Sequence, residues 1–103
     1  MPPAYRLIIL PEAAASLEET FTYIEQSSPQ NATAVARSLV AAIDSLEHFP
    51  HRFRVHQSRR DPVRVVRSMS VPPFIVYYRI IERNQAVEIM LIRHGARRQP
   101  RRF

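Results

Sequence analysis

The sequence predicts an α+β domain: an N-terminal strand, an antiparallel helical hairpin, then a three-stranded antiparallel meander, with the helices packed on one face of a single sheet. Three observations predict it. Apolar residues recur at helical spacing between Pro11 and His48. β-branched and aromatic residues crowd into runs on either side of that stretch. Prolines and polar turn residues mark the boundaries between them.

Tyr5 to Leu10 is a short β-forming run ended by Pro11. Pro11 suits the first turn of a helix, where a missing N–H costs nothing, and Glu12 there favours the positive end of the helix dipole. Ala13, Leu17, Phe21 and Ile24 make an apolar stripe, with Glu18, Glu19 and Glu25 off it. This helix runs to about Gln26, and Ser27-Ser28-Pro29 breaks it. Ser28 as N-cap, with Pro29 next, restarts a helix at once. Ala32, Val35, Ala36, Leu39, Ile43 and Leu46 carry the second stripe to near His48, before Pro50. Two amphipathic helices joined so closely fold back on each other.

From Phe53 the periodicity changes to that of strands. Val63 to Val71 alternates, Phe74 to Ile81 is almost wholly β-forming, Glu82-Arg83-Asn84-Gln85 reads as a hairpin turn, and Val87 to Arg93 is the last run. Gly95, the single glycine, follows His94 and lets the backbone bend as that strand ends. Alternation puts Phe74, Val76, Tyr78 and Ile80 toward the helices and Ile75, Tyr77, Arg79 and Ile81 on the open face. The last strand is apolar on both faces, Val87, Ile89 and Leu91 against Met90 and Ile92, which suits a position inside the sheet. Glu47, His48, His51 and His56 fall in the helix-to-strand connection, where a solvated loop is expected, and their spacing matches no metal site.

The length of 103 residues fits a single domain, 1–103, with Arg97 to Phe103 as a basic tail expected to be mobile. Without cysteine there is no disulfide frame and no thiolate metal site, and no cofactor is expected. The apolar run Leu7 to Leu10 is too short for a signal peptide or a membrane span, so a cytoplasmic protein with no membrane partner is expected.

Charge is segregated along the chain. Residues 1–51 hold two arginines against six acids, a balance of −4; residues 52–103 hold thirteen arginines against three acids, a balance of +10. Every basic residue among the 15 is arginine, which either reflects GC-rich codon usage or serves phosphate and carboxylate recognition. A strongly basic face attracts polyanions or acidic proteins over about a Debye length, ~8–10 Å at physiological salt. Arg52, Arg54, Arg59, Arg60, Arg64 and Arg67 form one basic run, and Arg93, Arg97, Arg98, Arg101 and Arg102 another. If both lie on the open face they form one patch beside the exit of the last strand. The alternative is that surface arginines merely keep a small domain soluble. Tyr77 on the open face would stack on a base or meet a partner side chain.

Four phrases add a resemblance: Leu10-Pro11-Glu12-Ala13, Ala42-Ile43-Asp44-Ser45-Leu46 with Phe49-Pro50, Pro73-Phe74-Ile75-Val76-Tyr77-Tyr78-Arg79-Ile80, and Ile92-Arg93-His94-Gly95-Ala96-Arg97-Arg98. In this order, from Tyr5 to Arg98, the chain resembles the RelE/ParE superfamily of toxins from type II toxin–antitoxin pairs, with the Phe-Pro, Tyr-Arg and His-Gly-x-Arg-Arg elements closest to the ParE branch. The resemblance implies a toxin held inactive by a cognate ParD-like antitoxin that presents an acidic or amphipathic segment. It implies DNA gyrase on DNA as the target for a ParE-like member, and messenger RNA in the ribosome for a RelE-like endoribonuclease.

The expected target- and partner-binding residues are Tyr77, Arg79, Arg93, His94, Arg97, Arg98, Arg64 and Arg67. For a nuclease, the catalytic set would be His94, Arg97, Arg98 and Arg79, supplying an acid or base and cations over the phosphate. Against that chemistry stand the absence of lysine and the presence of Ile75 where nuclease members tend to carry arginine. The favoured reading of His94 is a structural histidine bonding the backbone beside Gly95. An inactive toxin relic that only binds its antitoxin is the remaining alternative.

Overall fold

The computed structural model describes residues 4–57 and 65–94. In chain order its elements are β1 (Arg6–Ile9), α1 (Pro11–Ser27), α2 (Pro29–Asp44), 3-10 turns at Ser45–Glu47 and Pro50–Arg52, and β2 (Arg54–Gln57). There follow β3 (Val65–Val71), β4 (Phe74–Ile81), a 3-10 turn at Glu82–Asn84 and β5 (Ala86–His94). The five strands form one sheet in the order β1-β5-β4-β3-β2, antiparallel throughout except for β1, which runs parallel to β5.

The joint between the helices is a single residue. Ser28 has extended dihedrals and closes both ends. Its N–H donates to the Ile24 carbonyl at 2.9 Å, and its Oγ accepts the N–H of Asn31 at 3.3 Å. One residue satisfies a donor of α2 and an acceptor of α1, so the chain reverses with few unpaired backbone groups. α2 stops at Asp44 instead of near His48; the path continues as the tighter 3-10 turn, with Ser45 donating to the Ala42 carbonyl at 2.6 Å.

The core lies between the hairpin and one face of the sheet. Ala13, Leu39, Ile43 and Leu46 meet Met69, Val71, Phe74, Val76, Tyr78, Val87, Ile89 and Ile92, with Leu17, Ile24, Val35 and Ile80 packed at the margin. Phe74, Val76, Tyr78 and Ile80 therefore face the helices as alternation requires. Each large side chain so enclosed contributes about 1.5–3 kcal/mol of transfer free energy.

Two features of the sheet depart from the sequence reading. β2 is an additional strand, pairing Arg54 with Ser68 through Gln57 with Val65. Four residues with a single β-branched member carry little strand signal of their own, and β3 supplies the ladder that orders them. The second feature is a register shift: Tyr77 pairs with Leu91 but Tyr78 pairs with Ile89, so Met90 has no partner on β4. The extra residue turns the phase of β5. Val87 and Ile89 join Ile92 in the helix-side core, and Leu91 does not share their face.

β1 is fixed at the margin by backbone bonds from Tyr5 to the Glu47 carbonyl, Arg6 to Gln85 and Leu10 to Ile89, all 2.8–3.0 Å. The Tyr5 hydroxyl adds a bond to Glu82 at 3.0 Å, and His51 contacts the other oxygen of the same carboxylate. His51 is thus paired with an acid and not simply solvated. Its hydrogen bond is the main cause that holds the Glu82 carboxyl below the usual range. Among the described residues no helix is long and apolar enough to cross a membrane.

Candidate interaction site on the open face of the sheet

On the face away from the helices, β2, β3, β4 and β5 bring together His56, Ser68, Tyr77 and Arg93. Arg93 stands opposite Ile75, one step diagonally from Tyr77, and reaches its hydroxyl with Nη2 at 3.0 Å and Nε at 3.4 Å. Arg93 Nη1 also donates to the His94 carbonyl at 3.1 Å. The ring of His56 lies 6.1 Å from that of Tyr77, and its Nε2 shares a hydrogen bond of 2.6 Å with the Ser68 hydroxyl. A guanidinium only 9% exposed needs such acceptors, because a buried charge without them is strongly unfavourable.

Tyr77 is on the predicted face but is 1% exposed. The expectation of a ring open to stack on a base is therefore corrected: the phenol is enclosed between His56 and Arg93. His56 itself was expected in a solvated loop. It sits on β2, where burial first and the Arg54 charge second push its imidazole below the ordinary value, so the ring is neutral at neutral pH. The signal available in the sequence was the alternation of Arg54 and His56 with Phe53 and Val55, a pattern of period two.

Arg79 is on the open face as expected, and its Nε pairs with the Glu88 carboxylate opposite it on β5 at 2.5 Å. The guanidinium keeps 38% of its side-chain exposure, so the pair lies at the surface and is open to a larger anion.

His94 and Arg67 do not join this group. His94 pairs with Phe74 in the ladder and sets its ring edge-on to the Phe74 ring at 6.2 Å, on the helix side of the sheet. Arg67 belongs to the same side: its Nη1 donates to the carbonyls of His51 and Phe53 at 2.7 and 2.9 Å. There it ties the segment after α2 to β3, beside Tyr78, whose hydroxyl donates to the Pro50 carbonyl at 2.6 Å. Burial pushes the Tyr78 phenol up to about 12. Arg64, Arg97 and Arg98 lie outside the described residues, as do Gly95 and the remaining arginines of the tail. Of the two arginine runs, Arg54, Arg79 and Arg93 share the open face, while Arg67 and Arg52, which bonds Ser45 at 2.8 Å, serve the other.

Among the described residues no three His, Asp or Glu side chains gather as a metal site. Chemically, the open face offers a neutral imidazole, a buried phenol–guanidinium pair and a surface guanidinium. This is an anion-facing surface whose polar groups are already hydrogen-bonded to each other.

Comparison with known proteins agrees with this architecture. The family described as the ParE toxin of the type II toxin–antitoxin system parDE matches residues 7–99. Toxin RelE2 of Caulobacter vibrioides is 35% identical over 85 residues, covering 82% of this chain and 89% of that protein. A solved structure of the chromosomal ParDE toxin–antitoxin system from P. aeruginosa superposes with a TM-score of 0.68 at 19% identity, over 88% of this chain and 96% of that one, which shows a shared fold. The chain belongs to the ParE family of type II toxin–antitoxin toxins, within the RelE/ParE superfamily.

Proposed function

We propose that this toxin acts by binding, poisoning DNA gyrase on DNA in the cytoplasm, and that a cognate antitoxin neutralises it. The observation that carries the reading is the state of the open face. Tyr77 is sealed by Arg93, His56 is bonded to Ser68, and Arg79 is bonded to Glu88. A ribonuclease needs a base within reach of a ribose hydroxyl and an acid near the leaving oxygen. A binding surface needs only shape and a cationic fringe, which Arg54 and Arg79 supply. The match to the ParE family over most of the chain supports the same side.

The second reading, a ribosome-dependent endoribonuclease, draws on one specific observation. The lowered imidazole of His56 is a neutral base beside a phenol and a guanidinium.

A paired assay decides between them. Purified toxin is incubated with gyrase and supercoiled plasmid, and separately with programmed ribosomes. Accumulation of cleaved plasmid with intact message is expected. Message cut in the ribosome with plasmid unaffected would overturn the gyrase reading in favour of the nuclease.

A further inference from the structure

On the solvent side of the helical hairpin, away from the sheet, an open groove of ≈ 460 Å³ is lined by Phe21 of α1 and by Thr33, Ala36, Val40 and Ala41 of α2. Arg37 and Asp44, also of α2, complete its lining. Val40 is 56% exposed, although it lies on a stripe of helical spacing that would be buried if another helix were seated there. Arg37 and Asp44 are exposed, and among the described residues neither side chain has an ionic partner. Asp44 is moreover the last residue of α2, whose final turn holds no basic residue. A carboxylate at that end opposes the helix dipole, and Arg52, whose guanidinium reaches the cap residue Ser45, bonds its hydroxyl without forming an ion pair with Asp44 among the described residues.

We infer that this groove is an interface between two copies of the chain, joined by antiparallel α2 helices about a twofold axis. Place the axis between Val40 and Ala41. Arg37 of one copy then stands opposite Asp44 of the other, and the relation repeats on the far side of the axis. Val40 of each copy meets Ala41 of its mate, so a larger side chain packs on a smaller one. The match is isologous, since one stripe supplies both halves of every contact. Arg37 and Asp44 are about 10 Å apart along the axis, two helical turns, so both ion pairs form in the same register.

Arg37 is the basic residue that α2 carries. A guanidinium from the second copy meets Asp44, whose carboxylate has no ionic partner among the described residues. The contact is small, so the dimer is weak and reversible.

Sedimentation of the purified full chain over a concentration series, at low and high salt, tests this. A monomer–dimer equilibrium that weakens with salt is expected. Arg37→Asp alone, or Asp44→Arg alone, should weaken dimerisation by about tenfold or more by setting like charges against each other. The double exchange Arg37→Asp/Asp44→Arg should restore it. Both side chains are exposed, so the variants are expected to fold, and circular dichroism checks this. A chain that stays monomeric throughout overturns the inference, as does a dimer indifferent to the single exchanges. An effect of the single exchanges seen only with an added partner protein would assign the groove to that partner and equally overturn it.

Discussion

Arg93 of β5 holds the hydroxyl of Tyr77 on β4 through two nitrogens, and both residues are almost sealed from solvent. The guanidinium that the sequence places at the exit of the last strand is therefore part of the sheet's own packing. Removing it takes two donors from a buried phenol, and removing the phenol hydroxyl takes an acceptor from a buried charge. Arg93→Ala is expected to destabilise the fold by roughly 2–4 kcal/mol and Tyr77→Phe by about 1–2 kcal/mol. The double variant should cost less than their sum, with a coupling of about 1 kcal/mol or more. Urea unfolding of the four proteins measures this. Additive effects would show that the two side chains are energetically independent.

Tyr78 gives a dependence on alkaline pH. Its phenol is pushed up to about 12 by burial, against 10 for the free side chain. Between those values the unfolded chain loses the proton and the folded chain keeps it. The contribution is therefore fully present below pH 10 and is lost as pH rises toward 12, by about 1.4 kcal/mol per unit. Tyr78→Phe should be less stable than the parent near neutrality by about 1 kcal/mol, because the Pro50 carbonyl loses its donor. The gap should close and then reverse above pH 10. A parallel pH profile for the two proteins would contradict the assignment.

His56 acts at the other end of the scale. Its imidazole is held below the ordinary value by burial, with the Arg54 charge second. As pH falls below about 6.5, the unfolded imidazole takes a proton before the folded one, so the fold loses stability on acidification in that window. The ring resonances of His56 should titrate below the ordinary histidine value. Arg54→Ala should move the midpoint upward by part of the difference, leaving the share due to burial. A His56 midpoint unchanged in Arg54→Ala would remove Arg54 from the account.

These residues show where the sequence is informative and where it stops. β4 is legible to its ends, because every position from Phe74 to Ile81 except Arg79 favours a strand and prolines precede it. Ser28 is legible as a cap because serine before proline has few other uses. The bulge at Met90 is not: with apolar residues on both faces of β5, no change of polarity marks the change of phase. β2 is faint for a related reason: its residues alternate, but its order comes from β3 more than from its own four residues. The candidate site suffers most from these two omissions. Without β2, His56 has no place beside Tyr77. His94 and Arg93, adjacent in sequence, are then easily assigned to one surface, though successive residues of a strand point to opposite faces.

The pair Arg79 and Glu88 offers the most direct test of how the open face meets its target. The salt bridge is partly exposed, so on its own it contributes little to stability, about 0–1 kcal/mol. Its effect on recognition is larger, because Glu88 occupies a guanidinium that a phosphate or an acidic protein would otherwise use. Glu88→Gln keeps the shape and removes the competing charge. If Arg79 docks the target, this variant should bind the gyrase–DNA complex more tightly, by several-fold at low salt, with a steeper salt dependence. Arg79→Ala should bind more weakly by about tenfold while unfolding within about 1 kcal/mol of the parent. Plasmid-cleavage titrations at two salt concentrations read both effects. If Glu88→Gln and Arg79→Ala both leave the titration unchanged, Arg79 takes no part in target binding and the cationic fringe lies elsewhere on the molecule.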